Sequence, residues 1–133
     1  MPDKEIKIVN TRVIIIQKLY GKLFNKDEVL SFPKHRFKKF IKDVVFGTIE
    51  RDDVISDELK VLEKNYNLKK LDKIFVVIIK AAIFEFLYKV KTPIKIIIKE
   101  YLDASNFFLN SSQIKYLHSI IDKLGKNIRK NHE

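Results

Sequence analysis

The chain contains no cysteine. That removes disulfides, thiolate zinc sites and cysteine nucleophiles together, and it fits a reducing compartment such as the cytoplasm. Glycine occurs three times, at positions 21, 47 and 125, each isolated. Without clustered glycines there is neither a phosphate-cradling loop nor a dinucleotide fingerprint. The three histidines, His35, His118 and His132, are scattered, with no zinc-ligand spacing on one helix. Met1 to Lys7 carries charges and no apolar core, so no signal peptide is expected. The longest apolar stretch, Ile74 to Tyr88, is interrupted by Lys80 and Glu85 and is too short for a bilayer.

What remains is apolar and basic. The 133 residues are 46% hydrophobic, enough for one domain with a real core and too apolar for disorder. Lys and Arg number 27 against 17 Asp and Glu, a net charge of +10. Such a surface attracts polyanions. Lysine dominates, the arginines being Arg12, Arg36, Arg51 and Arg129. A lysine-rich composition also follows from an A+T-rich genome, so charge alone does not choose a function.

Hydrophobic spacing is mostly helical. Ile6, Val9, Val13, Ile16, Tyr20 and Leu23 form one stripe of a first helix, with Gly21 inside it. Ser31 and Pro33 read as a cap and first turn, leading a second helix with Phe37, Phe40, Ile41, Val44 and Val45 inward. Its outer face is basic, with Lys34, Arg36, Lys38, Lys39 and Lys42. A short third helix follows Asp52 or Asp53 and uses Val54, Leu59 and Leu62, ending near Asn65. The fourth, about Leu68 to Val90, is apolar on every side and is expected at the centre. Its β-branched run from Ile74 to Ile79 also suits a strand, but Ala81 to Tyr88 continues at helical spacing. Thr92-Pro93 opens a fifth helix bearing Ile94, Ile97, Ile98, Tyr101, Leu102 and Ser105. Asn110 to Ser112 caps a last helix with Ile114, Leu117, Ile120, Ile121, Leu124 and Ile128 inward. Residues 129–133 are expected to fray. The expected fold is all-α, a single-domain bundle of six to seven helices spanning 1–133.

No residue set points to catalysis. Ser111 and Ser112 read as caps and lack a nucleophile elbow. Glu85 and Glu100 stand on apolar helices, where an acid usually accepts a hydrogen bond or pairs with a cation. Lys80 is expected to pair with one of them. No enzyme activity, metal or cofactor is expected.

Three ordered segments carry a family resemblance. Arg12-Val-Ile-Ile-Ile-Gln17-Lys18-Leu19-Tyr20 is similar to an opening helix of pattern Arg-x-x-x-x-Gln-x-Leu-Tyr. Asn65-Tyr66-Asn67-Leu68, followed by Lys80-Ala81-Ala82-Ile83-Phe84-Glu85, is similar to Asn-Trp-x-Leu and Leu-Arg-x-Ala-x-Tyr-Glu. Pro93, Glu100 and the run Lys115 to Lys123 match a Pro, an Ile-Asn-Glu and a Phe-Val-Asn-Gly-x-Leu-Asp-Lys. Together they resemble the NusB family across nearly the whole chain.

The resemblance implies a bundle of about seven helices that binds boxA-type single-stranded RNA together with a small ribosomal subunit protein, NusE. The pair joins the RNA polymerase antitermination complex, chiefly on ribosomal RNA operons. The family includes monomers and homodimers. By position, Lys4, Lys7, Arg12, Gln17, Tyr20, Tyr116 and His118 fall to RNA, and Phe75 and Val76 to the protein partner. Arg12 is expected on phosphate, where contacts position the strand. Tyr20 and Tyr116 fit base stacking and also fit core stripes. The sequence departs from the pattern where an arginine cluster has become Ile8 to Thr11, where an Asp-Arg pair has become Phe75-Val76, and where Asn-Gly has become His118-Ser119. These changes suit an alternative, a protein-interaction module with weakened RNA specificity. The domain also resembles the N-terminal part of RsmB-type methyltransferases, but no glycine-rich cofactor loop follows, and no S-adenosylmethionine binding is expected.

Overall fold

The structure is a computed structural model and describes residues 10–27 and 29–131. Among them are six α-helices and no strand: α1 Thr11–Phe24, α2 Lys38–Glu50, α3 Asp52–Leu59, α4 Lys73–Tyr88, α5 Ile94–Ser105 and α6 Ser111–Asn131. Two short 3-10 turns, Lys60–Leu62 and Leu68–Lys70, join α3 to α4.

Helix α4 is the axis of the bundle. Ten of its sixteen residues are buried, on every side, and all five other helices pack against it. Ala81 and Ala82 are fully covered, and small residues there let neighbouring helices approach closely. The β-branched run therefore folds as helix: a surrounded position rewards apolar residues all round, and tertiary packing overrides a strand preference. Gly47 on α2 meets this axis so closely that an added Cβ would lie 2.2 Å from the Phe84 ring.

Several sequence expectations shift. Helix α1 is capped by Asn10, whose side chain accepts from the Arg12 and Val13 amides at 2.8 and 3.3 Å. Leu23, expected inward, is exposed. Ile6 and Val9 lie outside the described residues. Ser31 and Pro33 do not start α2; the segment has no regular structure, and the helix begins at Lys38. That path sets Phe32 edge-on to Phe46, centroids 5.6 Å apart. His35 then accepts the Phe37 amide through Nδ1 at 3.0 Å, which delays the helix. Phe37, expected inward, is consequently half exposed. In α3 Ile55 and Leu59 face the core, while Val54 is exposed. Leu68 belongs to a 3-10 turn, so α4 starts five residues late.

The last helix follows the expected signal closely. Asn110 Oδ1 accepts the Gln113 amide and Gln113 Oε1 accepts the Asn110 amide, each at 2.9 Å, a reciprocal capping box. Its end does not fray at residue 129. Arg129 donates to the carbonyls of Phe86 (2.7 Å), Thr92 (2.8 Å) and Lys89 (3.2 Å), and α6 runs on to Asn131. Those carbonyls close α4 and lead into α5, where a cation is favoured by the helix dipole.

Candidate functional site

The first motif residue, Arg12, points inward. Its Nη2 and Nε donate to Glu85 at 2.6 and 3.1 Å, and its Nη1 lies 3.7 Å from Glu100. The guanidinium also lies over the Phe40 ring, 4.8 Å from its centroid. Only 12% of the Arg12 side chain is exposed, and Glu85 is fully buried. The Tyr101 hydroxyl donates to the same carboxylate. One cluster thus fastens α1, α4 and α5 together.

The electrostatics follow from that burial. Desolvation disfavours the Arg12 charge, but the hydrogen bond and charge of Glu85, with help from Tyr101 and Glu100, outweigh it and raise its pKa. Tyr101 is pushed well above the usual tyrosine range, first by burial and then by the Glu85 charge, with Arg12 opposing. The phenol is held neutral as a donor. This geometry corrects the expectation for Arg12: its fork is already occupied by carboxylates, so it is not presented to phosphate. Lys80 also departs from expectation. It pairs with Asp52 at 2.7 Å, tying α4 to α3, and not with Glu85 or Glu100.

The outer part of α1 is open. Gln17 is exposed, and Tyr20, one turn on, is half-buried. The Tyr20 ring meets Phe24 edge-on at 4.9 Å, and Lys73 Nζ lies 5.4 Å from the Phe24 centroid. Phe24 is exposed. Lys73 opens α4, and Phe75 in the same turn contacts Tyr116 of α6 at 5.7 Å. Tyr116 is exposed and also meets Tyr66 at 5.6 Å. The first turn of α4 therefore lies between Tyr20 and Tyr116. The surface around that turn thus carries ring edges on both sides, Tyr20 and Phe24 with Lys73 on one and Tyr116 with Tyr66 on the other, which suit unpaired bases and their phosphates.

Other expected site residues fall elsewhere. Phe75 is 3% exposed, so it is core and supports Tyr116; it offers no apolar patch to a partner. Val76 is half-buried. His118 is exposed, but two residues past Tyr116 it points about 200° away around the helix. Lys4 and Lys7 lie outside the described residues. Sequence reading missed Phe24, Lys73 and the role of Tyr66, which lies between the two 3-10 turns and meets α6 only through tertiary packing. Among the described residues no group of histidines and carboxylates is arranged to hold a metal ion. No helix there is long and apolar enough to cross a membrane.

Residues 9–126 match the profile of the NusB family. The chain belongs to the NusB family. A transcription antitermination protein NusB from Rickettsia bellii is 34% identical over 96 residues, 71% of this chain and 59% of that protein. The Maricaulis maris NusB is 24% identical over 136 residues, 89% of this chain and 85% of that protein. Against the Bradyrhizobium diazoefficiens and Gluconobacter oxydans relatives, the chain spans about half of their length, 55% and 54%. Among solved structures, T. maritima NusB superimposes with a TM-score of 0.74 at 20% identity, covering 91% of this chain and 93% of that one. That likeness establishes the NusB fold.

Proposed function

We propose that this NusB-family chain is a transcription antitermination factor. It binds boxA-type single-stranded RNA with a small ribosomal subunit protein, NusE, within the RNA polymerase antitermination complex on ribosomal RNA operons. The observation that carries this reading is the surface around the first turn of α4, where Tyr20 and Tyr116 fall on family motif positions and Phe24 and Lys73 add a ring and a cation. Tyr116 stacks a base, Lys73 neutralises phosphate, and Gln17 supplies a polar edge. The protein works by binding and holding, with no cofactor.

Fluorescence anisotropy of labelled boxA RNA against a scrambled control tests this, with and without the ribosomal protein, at two salt concentrations. Preference for boxA that strengthens with the partner is expected. Equal, salt-sensitive binding to both RNAs, unchanged by the partner, rejects it.

A second reading, a protein-interaction module with weak RNA specificity, is favoured by one observation. Leu19, Leu23, Ile49 and Val77 line an apolar hollow of about 400 Å³ on the α1–α2–α4 side. Calorimetry with the purified ribosomal protein, free of RNA, separates the two: tight binding lost in Leu23→Asp supports the module.

A further inference from the structure

The connection into α2 carries a charge pattern that the tyrosine face does not use. Between Val29 and Lys42 stand Lys34, Arg36, Lys38, Lys39 and Lys42, with no acid. All five are exposed, and none makes an ion pair with a described residue. The next acid, Asp43, is engaged by Lys89 at 3.6 Å.

This arrangement works against its own helix. Lys38 and Lys39 stand at the positive end of the α2 dipole, where anions are favoured. Lys38 and Lys42 are like charges four apart, which repel. The N-terminus has no side-chain cap, and the amides of Lys39 and Phe40 have no acceptor among the described residues. Local rules broken this way mark functional positions more often than structural ones.

Aromatic rings sit among these cations. Lys18 of α1 and Lys42 of α2 each lie 5.9 Å from the Phe32 centroid, so that ring bridges two lysines from different helices. Phe37 is 50% exposed, and Arg36 lies 5.4 Å from its centroid. Lys18 neighbours Gln17, and both line a small cleft with Leu30 and Ser31. The basic surface is thereby continuous with the outer part of α1.

We infer that this surface is a second contact track for single-stranded RNA, running from Lys18 past Phe32 to Lys42, Lys39 and Lys38, with Phe37 as a stacking ring. It rests on the proposed RNA binding and extends it. The tyrosine face holds the recognised element, and the track holds the flanking strand by phosphate contacts and one base stack.

The test uses the full chain and two labelled RNAs, a short one covering the recognised element and one extended by flanking nucleotides. The triple variant Lys38→Gln/Lys39→Gln/Lys42→Gln is compared with a control that neutralises Lys95, Lys99 and Lys130. Each lost phosphate contact on a single strand lowers the salt slope by about 0.7, so the triple variant should lose roughly 2 from its slope on the extended RNA. Its affinity there should fall at least about tenfold, with the short RNA little affected. Phe37→Ala should weaken the extended RNA roughly fivefold with no change in slope. Thermal melts confirm that the variants are folded. Wild-type protein that binds neither RNA at low salt rejects RNA binding itself, and the track with it. Wild-type binding with a triple variant indistinguishable from it, or no weaker than the control, rejects the track alone.

Discussion

Replacing Arg12 separates a structural role from an RNA role most sharply. In Arg12→Ala the fully buried Glu85 keeps, among the described residues, only the Tyr101 hydroxyl as a partner. Removing one member of a buried pair strands the other charge, at a cost of about 3–5 kcal/mol. A domain has only about 5–15 kcal/mol in total, so the loss is a large share. With an m-value of about 2 kcal/mol/M, the urea midpoint should drop by roughly 2 M. Far-ultraviolet circular dichroism along a urea titration reads this directly. Arg12→Lys should fall between the wild type and Arg12→Ala, because an ammonium cannot span both Glu85 oxygens in the guanidinium's fork. Arg12→Met with Glu85→Gln should recover more than half of the loss, since no unpaired charge remains. An Arg12→Ala protein within about 0.5 kcal/mol of wild type, yet about tenfold weaker on RNA, would refute the reasoning and return Arg12 to the phosphate backbone.

Tyr101 supplies a pH test. Its folded pKa is raised, so its contribution is fully present below the unfolded value near 10 and is lost as pH rises from there through the folded value. Urea midpoints above pH 10 should therefore decline less steeply in Tyr101→Phe, and parallel curves would contradict the assignment. Gly21→Ala should stabilise by about 0.5–1 kcal/mol, because nothing lies within 4 Å of the added Cβ. Gly47→Ala should instead destabilise by roughly 1–2 kcal/mol in melting experiments, since the strain of displacing the Phe84 ring exceeds the gain in helix propensity. Phe75→Ala should cost about 3–5 kcal/mol as a core deletion. Tyr116→Ala should melt near wild type but bind RNA about 1–3 kcal/mol more weakly; equal binding by Tyr116→Ala argues against stacking on that ring.

The helical pattern was readable because burial repeats every three or four residues. That periodicity located α4, α5 and α6 and identified α4 as central from its lack of a polar side. Boundaries failed where a tertiary contact overrode a local signal. Ser31 and Pro33 spell a helix start, yet the segment stays irregular, with Phe32 packed edge-on against Phe46. The same limit applied to the site. Tyr20 and Tyr116 could be named from their spacing within motifs, but not the contacts that place them either side of one turn. Those run through Phe24 at the end of α1 and through Lys73 and Phe75 on a third element, α4. Phe75 looked like an added surface patch because its neighbours in sequence say nothing about α6, which covers it.

The arginines show what the missing cluster leaves behind. Arg12 is held by Glu85 and Arg129 by three carbonyls, so both are spent inside the fold. Arg51 lies over the Tyr88 ring, 4.7 Å from its centroid. Arg36 lies likewise over Phe37, 5.4 Å from its centroid, in the acid-free stretch leading into α2. Lysine supplies charge without the planar fork that recognises a phosphate or a base edge. On the proposed function, a surface built of lysine and tyrosine should bind strands with steep salt dependence and limited discrimination. Sequence preference must then come from stacking on Tyr116, from the exposed fork of Arg36 or Arg51, or from a partner that adds contacts of its own. Arg36→Lys isolates the first of those forks: it keeps the charge and the salt slope, so any loss of preference between boxA and scrambled RNA would belong to that fork alone.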